Sequence, residues 1–394
     1  MGRARWLLLS LIALAALGAA WFYNFYVSST DSAIRHAEAS HFRRMTSAQL
    51  AEQGAYRFFY ATNREAAPTA EGIGDRYGNA REPALKFGSF DADIQPSLGL
   101  GMLINPTEWL QNEEIQLQNV QSLARPDFSE QLRQQVSQSP YRGLLVVLHG
   151  FREAHESALR KTAFLGHVLD INAPVLLFDL PGDQGSSLRG YRTAHETASA
   201  SGAELAQTLQ LLVDEVQPER LWVVANSMGA QVVVDALGKL YQQGGFANGK
   251  RAIEHVILTA PDVSRDAFDE KFRDKILALS EHLTVYVSSN DRALLVSRLV
   301  NRGARGGEST LSPDQFEEAS RISELMQPGD RVVDLVDVTP VNRTRNFHNF
   351  SLETPEYFDD LFLRLSNESL PRSRLLYQVE TPEGRVYSVL TRGR

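Results

Sequence analysis

Five residues, Ala225-Asn226-Ser227-Met228-Gly229, carry the clearest chemical signal in the chain. An apolar run from Leu221 to Ala225 ends abruptly, a serine follows, and an apolar pattern of helical period starts at once. That is the strand–turn–helix setting of a G-x-S-x-G nucleophile elbow, with alanine at the first glycine position. The spacing has a steric cause. A serine lifted out of a sharp turn draws together the residues two before and two after it, so both must be small, as Ala225 and Gly229 are. The turn points the Ser227 oxygen away from the sheet. It leaves the Met228 N–H at a helix start, where unpaired amides and the dipole favour a developing negative charge. By itself the pentapeptide is equally compatible with a tight connection that does no chemistry.

A serine hydroxyl is a poor nucleophile until a base takes its proton, and the base needs an orienting acid. Nine histidines are available. His36 and His41 precede the main body. His155, His167 and His195 fall on helical stretches, where a solvated position is expected. His255 and His282 open strands, at the wrong end of the sheet, and His149 closes one beside Gly150, as part of a backbone cradle. His348 remains, in a loop just after the last expected strand. For the acid, Asp291 follows the strand Leu283 to Val287, with Asp262, after the preceding strand, as runner-up. Asp334 and Asp337 sit within or at the end of a strand and read as structural, whereas Asp179 and Asp183 could line a pocket. The chain order is then nucleophile Ser227, acid Asp291, base His348. The oxyanion hole needs two backbone donors. Met228 N–H is one, and Phe151 N–H, after the permissive Gly150, is assigned as the other.

These residues must be positioned by a sheet. Leu144 to Leu148, Val175 to Phe178, Leu221 to Ala225, Val256 to Thr259, Leu283 to Val287 and Val332 to Val338 are apolar strands separated by helical patterns. Such alternation means a mostly parallel sheet with helices on both faces and working residues at the strands' carboxyl ends. Upstream, Tyr56 to Thr62 and Leu85 to Ile94 read as strands, Gly72 to Gly78 as a loop, and Thr107 to Ser137 as helical and mostly solvated. Further helices are expected over 293–300 and from Ser312, joined by the cationic, glycine-rich loop 301–307. The tail from Leu375 to Leu390 reads as a hairpin turning at Pro382 to Gly384.

Composition is that of a packed globular protein: 394 residues, 43% apolar and 22% charged. A net charge of −8 without a basic, aromatic-studded stretch argues against nucleic-acid binding. The absence of cysteine removes disulfides, thiolate catalysis and cysteine-ligated zinc. Residues 1–30 read as a signal anchor: Arg3 and Arg5 are followed by an uncharged stretch from Trp6 to Thr30, flanked by Trp6 and by Trp21, Phe22 and Tyr23. Residues 31–55 then form a helical stalk, and 56–394 the catalytic body with its N-terminal extension and C-terminal hairpin. The expected placement is single-pass, with the body on the periplasmic or extracytoplasmic side. The alternative is a cleaved signal peptide and a secreted protein.

Tyr60 to Arg64, Leu148 to Phe151, Asn226 to Gly229, Ala260 to Asp262, Val287 to Leu294 and the late His348 together resemble the α/β-hydrolase superfamily. Within it the likeness is to a bacterial group long catalogued as a domain of unknown function. The resemblance covers roughly Tyr56 to Leu363 and implies an α/β-hydrolase fold and serine hydrolase activity. Two places depart from the group: Asn226 stands where histidine is usual, and Leu180 to Asp183 stand where a Trp-Pro-Ser string is common. The function expected is cleavage of carboxylic esters of a small-molecule or lipid-like acyl substrate, through an acyl-enzyme and with no metal or organic cofactor. An amidase, peptidase or acyltransferase using the same triad, and a non-catalytic binding module, are the alternatives.

Overall fold

The computed structural model describes residues 55–67, 76–94, 115–169, 171–185, 187–263, 272–288, 333–342, 350–366, 376–380 and 386–391, together with Ala16. The strands are β1 (Ala55–Ala66), β2 (Tyr77–Ile94), β3 (Ile115–Leu123), β4 (Gly143–Leu148), β5 (Val175–Asp179), β6 (Arg220–Asn226), β7 (Ile253–Thr259), β8 (Ser280–Val287), β9 (Val333–Asp337), β10 (Leu376–Glu380) and β11 (Val386–Leu390). They form one sheet in the order β10-β11-β9-β8-β7-β6-β4-β5-β1-β2-β3. Neighbours from β11 through β1 pair in parallel, and only β2 and β10 run against the rest.

The helices are α1 (Arg125–Gln138), α2 (His155–Leu169), α3 (Leu188–Leu211), α4 (Gly229–Gln243), α5 (Phe272–Leu279), α6 (Phe350–Glu353) and α7 (Pro355–Leu365). Side chains alternate across a strand, and this divides the core. Leu144, Val146, Leu148, Val223 and Leu258 face one layer, where α1, α3, α4 and α5 bring Phe128, Leu205, Leu237 and Ile276. Leu145, Val147, Trp222, Val224 and Ile257 face the other, against Phe164 of α2 and Tyr357 and Leu361 of α7. Burial on both faces is why these strands read as unbroken apolar runs.

Two upstream expectations are corrected. Residues 115–123, read as helical, form the edge strand β3, and α1 starts only at Arg125. The cause is a bulge: the β2–β3 register shifts between Ser89 and Asp91, and Asn119 has φ 49°. The extra residue breaks the period of two into a spacing that imitates a helix. β2 also begins at Tyr77, inside the segment read as a loop, because its first half is largely solvent-facing. The stretches at 107–114, 293–300, 301–307 and from Ser312 onward to 332 lie outside the described residues, as do 1–30 except Ala16, which is helical. Among the described residues no helix is long and apolar enough to cross a membrane.

Candidate active site

β4 and β6 lie side by side, but the chain leaves β4 for β5 on one side and β6 for β7 on the other. The loops from their carboxyl ends therefore part from each other, and that is where an open α/β sheet leaves a crevice. Ser227 is the first residue after β6 and Gly150 the second after β4.

Ser227 has φ 52°. A non-glycine residue held in this region costs roughly 1–3 kcal/mol and persists only when its surroundings over-determine it. They do so here. The Ser227 N–H donates to the Thr259 carbonyl at 2.9 Å, and the Ser227 carbonyl accepts from Ala230 N–H at 3.0 Å and Asp262 N–H at 3.1 Å. Small neighbours are obligatory: a Cβ on Gly229 would stand 2.7 Å from the His149 carbonyl oxygen, and one on Gly150 would stand 2.7 Å from Ser227 Cβ and 3.1 Å from its Oγ. Ala225 is fully buried.

Met228 precedes α4 with helical backbone angles. Among the described residues neither the Met228 N–H nor the Phe151 N–H meets a backbone acceptor. The loop beyond Phe151 is tied down: Arg152 N–H donates to the Gly182 carbonyl at 2.9 Å, and the Glu153 carbonyl accepts from Arg64 Nη2 at 2.6 Å. The Phe151 ring meets Tyr191 of α3 edge-on at 5.5 Å. The Tyr191 hydroxyl donates to Asp262 Oδ2 at 2.6 Å. Leu188, first residue of α3, is 59% exposed at the same edge of the sheet.

Asp291 and His348 lie outside the described residues. The chain nearest to each is anchored at the working edge. Ser288, three residues before Asp291, accepts from Asn342 Nδ2 at 2.9 Å. Ser351, three residues after His348, donates to Asn226 Oδ1 at 3.1 Å. The runner-up acid, Asp262, is buried directly behind the elbow.

The remaining histidines divide. Burial and the nearby Lys161 charge push His149 down to about 3, and its Nε2 is engaged with Thr162 Oγ1 at 2.9 Å. Burial likewise depresses His255 to about 3, stacked on His282 at 4.9 Å, and His167 to about 4. These three imidazoles are neutral at pH 7. His155 corrects the expectation of a solvated helical position: it is buried, with Nδ1 2.7 Å from Asp179 Oδ2. Asp179, expected to line a pocket, is buried too, and it accepts from Arg64 Nε at 2.8 Å and Thr62 Oγ1 at 3.2 Å. Burial opposes its ionisation, yet the Arg64 charge and the His155 hydrogen bond hold its carboxyl below the ordinary range. Asp183 is half-buried and accepts from Gly185 N–H at 3.2 Å. This cluster was not legible as a unit, although Arg64, a cation following an apolar run in β1, was a visible sign of it.

Among the described residues no group of three His, Asp or Glu side chains is arranged to hold a metal. No curated protein matches the chain. The family model described as "Alpha/beta hydrolase of unknown function (DUF900)" matches residues 124–358. That is 235 of 394 residues and takes in the elbow, the Gly150 loop and the segment of His348. The chain thus belongs to this family of α/β hydrolases.

Proposed function

We propose that the protein is a serine hydrolase that cleaves carboxylic esters, held at a membrane by its N-terminal segment. The observation that carries this reading is Ser227: a serine kept at positive φ on a strand-to-helix turn, at the sheet's switch point, with Gly150 packed against its side chain. Positive φ occurs at other turns of this chain as well; at Ser227 it coincides with a strand-to-helix turn at the switch point, the setting that presents a hydroxyl to a substrate. In the proposed cycle His348 takes the Ser227 proton as Oγ attacks the acyl carbon, and Asp291 orients the imidazole and stabilises its charged form. Met228 N–H and Phe151 N–H receive the oxyanion. His348 passes the Ser227 proton to the alcohol as the ester's acyl–oxygen bond breaks, leaving the acyl group on Oγ. Water, giving a proton to His348, then attacks the acyl carbon, the acyl–Oγ bond breaks, Ser227 regains the proton and the acid leaves. The apolar Phe151–Tyr191 contact and exposed Leu188 favour an acyl group over a polar one. The uncharged run from Trp6 to Thr30 supports the membrane tether.

The test is product analysis of the purified full chain against ester, amide and acyl-acceptor substrates, with ester chain length graded and Ser227→Ala as control. Free acid from esters, abolished in the control, is the expected result. Amide cleavage or transfer to an alcohol would assign the triad to an amidase or acyltransferase instead. Ester hydrolysis undiminished in Ser227→Ala, or no Ser227-dependent turnover of any substrate, overturns the proposal and leaves a binding module.

A further inference from the structure

The cluster behind the Gly150 loop joins four segments that are far apart in sequence. Arg64, in β1, is fully buried and divides its guanidinium among three duties: Nε donates to Asp179 Oδ2 at 2.8 Å, and Nη2 donates to the Glu153 carbonyl at 2.6 Å. Its Nη1 reaches Asn79 Oδ1 at 3.1 Å and the Gly78 carbonyl at 3.3 Å. Asp179, the last residue of β5, is gripped from three sides. Thr62 Oγ1 donates to its carbonyl at 2.7 Å, His155 Nδ1 lies 2.7 Å from Oδ2, and Arg64 holds the same oxygen. The Tyr60 and Tyr77 rings pack edge-on against His155 at 5.4 and 4.7 Å. The Glu153 carboxylate pairs with Lys161 and accepts from Ser157 Oγ at 2.8 Å.

Several of these contacts converge on residues 152–155, directly or through Asp179 and the loop that follows it, while Arg64 Nη1 ties the cluster to β2. Arg152 is fixed through Gly182, Glu153 through Arg64 and Lys161, and His155 through Asp179. On the other side Gly150 rests against Ser227. Phe151 is the residue between the two anchorages. A buried ion pair gives little net stability over an apolar replacement of equal shape, because desolvating both charges costs about what their attraction returns. Its constraint is geometric: a planar fork satisfied at two sites fixes direction as well as distance.

We infer that Arg64 and Asp179, with Thr62 and His155, form a clamp that positions the Phe151 N–H over Ser227. Arg64 is thus a positioning residue for oxyanion stabilisation. This inference rests on the reading of Ser227 as a nucleophile. It explains why β1, in the sheet's outer half, buries a threonine and an arginine at Thr62 and Arg64, where apolar residues would pack more simply.

The clamp acts on the transition state and not on substrate affinity, so its loss must show in kcat and not in KM. Displacing a catalytic group by about 1 Å costs on the order of 100-fold. In Arg64→Lys the single ammonium keeps the charge beside Asp179 and gives up the Glu153 carbonyl; kcat should fall roughly 10- to 100-fold with KM little changed. Thr62→Val, which preserves volume and charge and is the variant chosen to fold, should lower kcat by several-fold. Amide hydrogen exchange over residues 149–155 reads the clamp independently of turnover, and should accelerate in both variants while β4 and β6 stay protected. Unchanged exchange in the folded variants overturns the inference. So does faster exchange with kcat, per titrated active site, equal to that of the wild type. A wild-type protein without Ser227-dependent turnover refutes the proposed reaction instead, and the exchange measurement then still decides whether the clamp exists.

Discussion

Replacing Gly150 with alanine places the smallest possible perturbation at the most consequential contact. The added Cβ would stand 2.7 Å from Ser227 Cβ, 3.1 Å from Ser227 Oγ and 3.3 Å from the Asn226 carbonyl oxygen. Carbon atoms at rest sit about 3.5–4.0 Å apart, so the two backbones must separate by about 1 Å. Ser227 cannot yield, because its N–H and carbonyl are bonded to Thr259, Ala230 and Asp262. The Gly150–Phe151 segment is therefore the part that moves, and the Phe151 N–H moves with it. A displacement of that size costs about 100-fold in rate, and complete loss of one oxyanion donor costs roughly 100- to 1000-fold. We expect kcat for ester hydrolysis to fall about 100-fold, equivalent to about 2.7 kcal/mol of barrier, with KM nearly unchanged. Stability should fall by only about 1–3 kcal/mol, the usual cost of overpacking. The assay is steady-state kinetics on active-site-titrated enzyme, paired with thermal melting. Gly238→Ala is the control, since a Cβ there meets nothing within 4 Å in the middle of α4. It should gain about 0.5–1 kcal/mol of stability with activity intact. A Gly150→Ala enzyme with wild-type kcat would refute the reasoning that Gly150 and Phe151 complete the oxyanion hole.

Three further outcomes are expected. Asp291→Asn should lower kcat by about four orders of magnitude through loss of imidazole orientation, whereas Asp262→Asn, whose carboxylate already accepts from Tyr191, should lose far less; the reverse ranking in ester kinetics would move the acid role to Asp262. Burial raises the Asp360 carboxyl to about 7, against the pull of Arg364 and a hydrogen bond from Tyr286. Its neutral form thus stabilises the fold fully below its ordinary value of 3.8, and that contribution, on the order of 4 kcal/mol, is lost as pH rises through about 7. Denaturant melts at pH 4, 6 and 8 should show Asp360→Asn gaining on the wild type as pH rises; parallel curves would contradict this. Asn226→Ala should lower kcat several-fold by removing the acceptor of Ser351 Oγ, while leaving the elbow's backbone bonds intact; unaltered kinetics would show that this hydrogen bond does not help to place the segment of His348.

The central strands β4 to β9 were legible because burial on both faces writes itself as an apolar run. β3 was not, because Asn119 inserts a bulge and the apolar residues Leu117, Val120 and Leu123 then fall at a spacing of three. The polar first half of β2 gave no alternation to read. In the site, Ser227, Gly229 and Gly150 were legible because steric demands on neighbouring residues are local. The Arg64–Asp179–His155 cluster was not. Arg64 and Asp179 are 115 positions apart and meet only because β1 pairs with β5, a neighbour far from it in sequence. His155 looked like a solvated helical residue because nothing in α2 announces that an aspartate from another strand will bury its imidazole.

The most direct test of Ser227 as the nucleophile is covalent capture. The purified full chain is treated with a fluorophosphonate probe, and the adduct is located by peptide mass spectrometry, with Ser227→Ala beside it. The expected result is a single phosphonylated residue, Ser227, with no adduct in the variant. Labelling at another residue with undiminished rate in Ser227→Ala, or ester turnover that survives the loss of Ser227, would contradict it.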